Sequence, residues 1–167
     1  MEKYLTFWPR FWAGWIDGLV LVPLGFVGLY LTDPERAPAT IIICGSILYS
    51  SYWLYSVILH SRYGKTLGKM AMRVQVLDVQ EDRIPTFGQA FLRDIGYVVV
   101  DTLSLIYLIY LVLAGEYVSD VEAASLPDQI FMWSALGWFF LGIITMLTNE
   151  RRRALHDFIA KTVVVRV

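Results

Sequence analysis

RFWAGWIDGLVLVPLGFVGLYL, residues 10–31, is the stretch of this sequence that decides the fold. After Arg10 it continues for about 20 mostly apolar residues, and at about 1.5 Å per residue an α-helix of that length crosses the core of a bilayer. One carboxylate, that of Asp17, interrupts the apolar run. Because a carboxylate at the centre of a membrane helix costs roughly 2.5–3.5 kcal/mol, we expect Asp17 to face protein or water. The stretch therefore predicts a transmembrane helix with one polar position.

Glycines follow Arg10 and Asp17 along one stripe of this predicted helix, at spacings of three or four residues. Small side chains allow two helix backbones to approach closely, so we expect other helices to dock on the stripe. The same stripe is the expected contact for a homo-oligomer. The glycines of this predicted helix-packing seam are Gly14, Gly18, Gly25 and Gly28.

The composition agrees with a membrane protein. Of the 167 residues, 57% are hydrophobic and 17% are charged, whereas soluble domains average about 25% charged residues. The formal net charge of −1 gives no reason to expect nucleic-acid binding. The single cysteine, Cys44, excludes an intramolecular disulfide and any zinc site built from cysteines. No spacing of His, Asp and Glu indicates another metal site, so we expect neither a metal nor a cofactor.

Four apolar runs predict an all-α integral membrane protein with four transmembrane helices. Each run is roughly 19–21 residues long, which is the length that a bilayer core requires. Tryptophan and tyrosine crowd the ends of the runs, as expected of residues at the membrane interface. The predicted helices are residues 11–31, 39–59, 95–114 and 130–148, with a long second loop at 61–94 and a tail at 149–167.

The distribution of basic residues predicts the orientation. Thirteen of the 14 lysines and arginines lie in the N-terminal segment, the second loop and the tail, and Arg36 is the exception. Because basic loops stay in the cytoplasm, we expect both termini and the second loop to be cytoplasmic. The third loop is acidic instead and contains Glu116, Asp120, Glu122 and Asp128.

Two short segments of the second loop and the tail are predicted to form a small cytoplasmic cap. Residues 73–79 alternate apolar with other side chains, and residues 162–167 are also β-prone. Two lone strands on one side of a membrane are expected to pair, because an unpaired strand leaves its backbone groups unsatisfied. Thr86 is the expected N-cap of a short helix leading into the third span. Residues 150–161 are amphipathic and are expected to contact headgroups, with one face formed by Leu155, Phe158, Ile159 and Thr162.

The carboxylates inside the predicted spans are the candidate site. If the first and third helices pack together, Asp17 and Asp101 would share a cavity that binds a proton or a cation. The alternative is that each aspartate is simply hydrogen-bonded within the bundle. Asp157 has two interpretations as well: a surface ladder with Arg153 and Lys161, or an ion pair with Arg10 at the cytoplasmic interface.

Residues 64–69, GKTLGK, superficially match a phosphate loop. The match fails because Leu59 stands where a Walker loop needs glycine, and because a membrane helix precedes it instead of a strand. We expect Lys65 and Lys69 to contact lipid phosphates, and His60 and His156 to be interfacial polar residues. No nucleophile–base spacing or dinucleotide glycine pattern is present, so we expect no enzymatic activity. The predicted cytoplasmic motif comprises Gly64, Lys65, Thr66, Gly68 and Lys69, together with Arg93 and His156.

Taken together, these segments resemble the RDD family of small membrane proteins, which is named for an arginine and two aspartates. The resemblance spans nearly the whole chain and implies a single RDD-like domain, residues 1–167. By position it makes Arg10, Asp17 and Asp157 the naming residues, whereas Asp101 matches an aspartate found in part of the family. The matching pieces are Arg10 with Ala13, Ile16 and Asp17; residues 64–69 followed by Arg73 and Val74; Phe91, Leu92 and Arg93; and residues 154–165.

The resemblance implies an integral membrane protein of a mostly bacterial family in which transport is the usual suggestion and some members exchange sodium for protons. The leading hypothesis is transport of a proton or cation at Asp17 and Asp101, with Arg10 compensating the charge. A transporter with four helices is expected to be an oligomer. The alternative is a non-catalytic accessory or assembly subunit of a larger membrane complex, with the acidic third loop as its docking surface. In either case the expected partners are the lipid bilayer and its anionic headgroups.

Overall fold

The computed structural model describes residues 2–117 and 126–167. Four of its helices are long and apolar enough to cross a membrane, which confirms the four predicted spans. The helices are α1 (Phe7–Leu31), α2 (Pro38–Tyr63), α3 (Leu67–Ala71), α4 (Phe87–Ala114), α5 (Leu126–Leu147) and α6 (Leu155–Ile159), and the strands are β1 (Val74–Asp78) and β2 (Thr162–Arg166).

Helix α4 begins eight residues earlier than the predicted third span. Thr86 is its N-cap, as expected: the Thr86 hydroxyl accepts a hydrogen bond from the Gln89 N–H at 3.3 Å, and the Gln89 side-chain oxygen accepts from the Thr86 N–H at 3.0 Å. The expected separate short helix is therefore the first part of α4. At 28 residues, α4 is about 42 Å long, so it extends beyond the hydrocarbon core.

The long helices pack in the order α1, α2, α4 and α5, and the α2–α4 contact is the most extensive. Two glycines allow close contacts in this row. A Cβ at Gly45 would overlap the Leu108 side chain, and one at Gly96 would overlap the indole of Trp138. The rigid indole leaves no room for a side chain at Gly96, whereas at Gly45 the end of the flexible Leu108 side chain would have to shift.

The predicted glycine seam on α1 is mostly open. Gly28 packs against Leu48, but no heavy atom of the described residues lies within 4 Å of the Cβ position at Gly14, Gly18 or Gly25. The expectation that other helices of this chain dock along the whole seam is therefore wrong within the described residues. Packing of a second copy there stays a prediction.

The two predicted strands pair, which confirms the small sheet. β1 and β2 run antiparallel, with Val76 opposite Val164 at the centre of the register. Val74, Val76 and Val164 are buried and form a small core together with Met72. We call residues 64–86 and 148–167, which surround this sheet, the cap.

Both ends of the chain lie at the cap. The N-terminal turn, Glu2–Tyr4, contacts the turn after β1, where the Lys3 ammonium lies 2.5 Å from the Glu81 carboxylate. The expected amphipathic segment over 150–161 is wrong in extent, because α6 has only five residues. Phe158 and Ile159 are exposed as predicted, but Thr162 is fully buried in β2 and does not share their face.

Candidate functional site

A buried carboxylate of the cap joins three helices. Asp157 of α6 accepts hydrogen bonds from Arg10 of α1, at 2.8 Å, and from Arg93 of α4. The side chain of Asp157 is fully buried, and those of Arg10 and Arg93 are 9% and 4% exposed. The structure therefore confirms the ion pair between Arg10 and Asp157 and adds Arg93 to it. We call Arg10, Arg93 and Asp157 the charge cluster.

The short helix α6 fixes the position of Asp157. The Ala154 N–H donates to the Asp157 carboxylate at 2.9 Å, which satisfies one donor at the start of the helix, and the Thr162 hydroxyl donates to it at 3.3 Å. The predicted surface ladder is wrong. Arg153 donates instead to the backbone carbonyl of Asp157 at 2.9 Å and lies over the ring of Phe158.

The charge cluster keeps Asp157 ionised. Burial by itself would raise the pKa of Asp157, but the guanidinium groups of Arg10 and Arg93 outweigh it and hold that pKa well below its usual range. Asp157 therefore carries a full negative charge between two positive ones.

His156 borders the same cluster. Its Nε2 lies 3.1 Å from Arg10 Nη2 and 3.4 Å from Arg93 Nη2. Because a guanidinium only donates, Nε2 must accept, and the proton of the neutral ring is then on Nδ1. Burial lowers the pKa of His156 to about 3; the Asp157 charge opposes this shift and the two arginines add to it. His156 is therefore a neutral hydrogen-bond acceptor inside the site. The sequence predicted it only as an interfacial polar residue.

Asp17 anchors α3 to α1. Its carboxylate accepts hydrogen bonds from the Tyr55 hydroxyl at 2.7 Å, the Thr66 hydroxyl at 2.6 Å and the Gly68 N–H at 2.7 Å. A Cβ at Gly68 would overlap the carbonyl oxygen of Ala13, so only glycine allows this approach. The described residues contain no contact between Asp17 and Asp101, and neither residue lines the cavities beside α1. The expected shared cavity stays a prediction.

The rest of the 64–69 motif closes α2 and turns the chain toward β1. Gly64 has a φ of 66°, in the left-handed region that favours glycine, and its N–H donates to the His60 carbonyl at 2.9 Å. Lys65 is half-buried. Lys69 is also half-buried, and burial and the Arg93 charge lower its pKa to about 8, although the charge of Asp17 opposes the shift. The expected contact of Lys65 and Lys69 with lipid phosphates stays a prediction.

The naming residues of the resemblance thus lie around one end of α1, where Arg10 holds Asp157 and Asp17 holds the 64–69 motif. The family model described as "RDD family" matches residues 4–161. This chain belongs to the RDD family. It is also 27% identical over 120 residues, 65% of this chain and 70% of the relative, to "Uncharacterized membrane protein YteJ" of Bacillus subtilis (strain 168). No solved structure matches.

A second set of polar residues in this RDD protein lies between α2 and α4. Ser56 and His60 of α2 and Asp94 of α4 are all buried, at 3%, 1% and 6% exposure. The Ser56 hydroxyl lies 3.0 Å from His60 Nδ1 and is also hydrogen-bonded to the Asp94 side chain. Among the described residues, His60 Nε2 and Asp94 Oδ2 have no hydrogen-bond partner.

The same interface carries polar groups deeper along both helices. The rings of Tyr52 and Tyr97 meet edge to face with centroids 5.7 Å apart. Asp101 lies close enough to Tyr49 and Tyr97 to interact electrostatically, but it forms no hydrogen bond or ion pair within residues 2–117 and 126–167. We call this set the α2–α4 polar face, comprising Tyr49, Tyr52, Ser56 and His60 of α2 and Asp94, Tyr97 and Asp101 of α4.

Sequence reasoning found Asp101 and expected His60 to be an interfacial polar residue, which is wrong because His60 is buried between α2 and α4. It missed the rest of this face. The available signal was the spacing of four residues that puts Tyr52, Ser56 and His60 on one side of α2. In the part of the chain that the structure describes, no group of three or more His, Cys, Asp or Glu side chains could hold a metal ion.

Proposed function

We propose that this RDD protein moves protons or cations across its membrane along the α2–α4 polar face. The observation that carries the proposal is the pair of buried atoms, His60 Nε2 and Asp94 Oδ2, that lack partners among the described residues. A buried polar atom left unsatisfied costs about 1–3 kcal/mol, so a water, a proton or a cation at these atoms would be stabilising. Ser56 touches both side chains and links them.

The rest of the face supports a route deeper into the bilayer. Asp101 lies two turns beyond Asp94 on the same side of α4, and the Tyr97 hydroxyl belongs to the turn between them. Tyrosine hydroxyls both donate and accept, so they are able to pass a proton along such a row. Ionisable residues within membrane helices are rare because they are costly, and they mark ion and proton pathways in pumps and transporters.

Asp17 and Asp157 have a positioning role in this proposal. Donors from α2 and α3 surround Asp17, and two guanidinium groups hold Asp157. Arg10 compensates Asp157 instead of Asp17. The proposed ion site therefore differs from that of the leading hypothesis. It consists of Asp94 and Asp101 and no longer includes Asp17.

The membrane placement is part of the proposal. We infer a bacterial inner membrane with the cap and both termini in the cytoplasm, because thirteen of the 14 basic residues belong to the segments at that end. The partners that we propose are the bilayer, its anionic headgroups and further copies of the chain, since four helices leave little protein around a central pathway. We propose no enzymatic activity and no nucleic-acid partner.

Ion flux in proteoliposomes tests the proposal. With a pH-sensitive dye inside, an imposed sodium or potassium gradient is expected to move protons through the wild type, and Asp94→Asn and Asp101→Asn are expected to abolish the movement. Asp17→Asn is expected to keep it per folded molecule. Asp82→Asn, in the exposed turn after β1, is the matched control. A folded wild type without flux, or flux that survives in both α4 variants, contradicts the proposal.

The accessory-subunit alternative has its own supporting observation. Gly14, Gly18 and Gly25 present an open small-residue surface along α1, which suits close approach by a helix of another protein. Of the acidic third loop that was expected to dock a partner, Asp120 and Glu122 lie outside the described residues. Constant copurification with one larger complex, lost on Gly14→Leu and Gly18→Leu, would favour this alternative over transport.

A further inference from the structure

A small cavity lies beside the charge cluster, on the side facing α5. Its volume is about 140 Å³. Most of its wall is apolar and comes from α1 and α5, and its polar residues are Arg10, Tyr97, Trp138 and His156. Tyr97 belongs to both this cavity and the α2–α4 polar face. Arg10, Trp138 and His156, on which the inference rests instead, take no part in the proposed transport, so the two proposals are tested separately.

The polar atoms of the charged and heterocyclic side chains around this cavity are hydrogen-bond donors. His156 must carry its proton on Nδ1, because Nε2 accepts from the arginines. That Nδ1 lies 3.9 Å from the Cβ position of Gly142, which also lines the cavity. The buried Nε1 of Trp138 has no acceptor among the described residues. The indole, the imidazole and the Arg10 guanidinium are thus suited to a ligand that accepts hydrogen bonds.

The local charge favours an anion. Arg10 and Arg93 share one carboxylate, Asp157, which leaves one positive charge uncompensated within the cluster. The next buried charged groups are Lys69, Asp17 and Asp94, and Lys69 interacts with both carboxylates. The Arg153 guanidinium, which donates to the Asp157 carbonyl, adds a further positive charge, so one positive charge remains in excess. In a poorly solvated site, an unbalanced guanidinium is stabilised by an additional negative group.

An apolar groove continues from the cavity toward the middle of the membrane. The groove has a volume of about 690 Å³ and shares Arg10, Phe11 and Phe139 with the cavity. It follows the open face of α1 past Gly14 and Gly18, with Phe139 of α5 on the other side. A donor-lined, positively charged cavity at the head of an apolar groove matches an amphiphile with an anionic head and a hydrocarbon chain.

We propose that the cavity binds the phosphate of an anionic membrane lipid with a small headgroup, and that one acyl chain lies in the groove along α1. The phosphate accepts from Arg10, His156 Nδ1–H and Trp138 Nε1–H, and the hydrocarbon covers the glycines that no helix of this chain reaches. This site gives the predicted anionic-lipid partner a place between the helices, in addition to the contacts predicted at Lys65 and Lys69.

Native mass spectrometry of the purified full chain tests the site with three probes: dioleoyl phosphatidic acid, dioleoyl phosphatidylcholine and inorganic phosphate. The wild type is expected to retain phosphatidic acid at least about tenfold more strongly than phosphatidylcholine. Gly142→Leu fills the cavity and is expected to abolish that preference. Gly137→Leu is the matched control on the same helix, because nothing lies within 4 Å of its Cβ position.

Trp138→Phe keeps the proposal testable if Gly142→Leu does not fold. It removes the Nε1 donor while keeping an aromatic ring, and it is expected to weaken phosphatidic acid binding about threefold to tenfold. Trp133→Phe, at an exposed position of α5, is expected to have no effect. The proposal would be overturned if the wild type retained both lipids equally, or if inorganic phosphate by itself displaced phosphatidic acid from the site. Unchanged phosphatidic acid binding in Trp138→Phe, or a dimer without lipid that fills the groove, would overturn it as well.

Discussion

At the scale of single residues, Asp157 has more structural consequences than any other side chain described above. Its two oxygens accept hydrogen bonds from the side chains of Arg10 and Arg93, from the Ala154 N–H and from the Thr162 hydroxyl. One carboxylate therefore connects α1, α4, α6 and β2. A buried ion pair adds little stability compared with an apolar replacement of both partners, but removal of one partner is costly because the other stays buried and charged.

Asp157→Asn is therefore expected to destabilise the protein strongly. It leaves Arg10 and Arg93 without a counter-ion, and the expected loss of unfolding free energy is about 3–5 kcal/mol. Thermal unfolding in detergent, followed by fluorescence or by loss of the monodisperse peak, measures it. Asp82→Asn in the exposed turn should leave the midpoint unchanged. A midpoint for Asp157→Asn equal to that of this control would show that the cluster does not hold the helices.

The neutral state of His156 predicts a pH effect. Its pKa falls from 6.5 to about 3 on folding, so between these values the unfolded chain binds a proton that the folded chain does not. Stability therefore declines as the pH is lowered through this window. His156→Gln keeps an acceptor for the arginines and does not titrate, so its unfolding midpoint should fall less than that of the wild type between about pH 7 and about pH 5. Because His60 is present in both proteins, its contribution cancels, and parallel curves would contradict the assignment.

At the scale of elements, hydropathy and periodicity predicted the spans, the strands and the pairing of the strands, but not which helices pack together. Four apolar runs, one alternating segment and one β-prone run were enough to locate α1, α2, α4, α5, β1 and β2. The glycine stripe on α1 was visible too, yet its members mostly face away from the other helices of this chain. Spacing identifies which residues share a face, and it does not reveal which element covers that face.

Helix α1 makes its close backbone contact with α3, and the glycine that allows this contact, Gly68, belongs to α3. Gly68→Ala would place a methyl group against the Ala13 carbonyl and the Asp17 carboxylate. We expect a loss of about 1–3 kcal/mol and faster proteolysis near residues 64–73. Gly14→Ala, with no neighbour within 4 Å, should be neutral or stabilising by up to about 1 kcal/mol. Equal effects of the two substitutions would contradict the packing.

The candidate site was predictable only in part for the same reason. The ion pair of Arg10 and Asp157 could be proposed because both were expected at one interface of the membrane. The role of Asp17 in holding α3, and the link between Ser56, His60 and Asp94, depend on how α2 rotates against its neighbours. That rotation is set by tertiary packing, such as Leu108 against Gly45, which a single sequence does not encode as a pattern.

At the scale of the whole molecule, the cap collects both ends of the chain, the sheet and the charge cluster at one end of the helices. The opposite end holds the turn between α1 and α2. Because the two ends of the helices differ in this way, one exposed residue at each end is enough to test the proposed orientation.

We expect residue 35 and residue 82 to be on opposite sides of the membrane. After replacement of Cys44 by serine, Glu35→Cys should react with a membrane-impermeant maleimide in intact cells, and Asp82→Cys should react only after permeabilisation. Both native residues are exposed, so differences in burial do not confound the result. The reverse pattern would place the cap outside the cytoplasm and overturn the orientation.

The order of synthesis adds a consequence of the charge cluster. Asp157 follows Arg10 by 147 residues and Arg93 by 64 residues, so both arginines leave the ribosome long before their shared counter-ion exists. Until then their hydration holds the ends of α1 and α4 at the water interface. Once Asp157 has been synthesised, both guanidinium groups can be buried against it at the same time. Docking of the cap is therefore a late step in biogenesis. A nascent chain that stalls before Asp157 is synthesised would expose two guanidinium groups without a counter-ion, a feature that quality-control proteases could recognise.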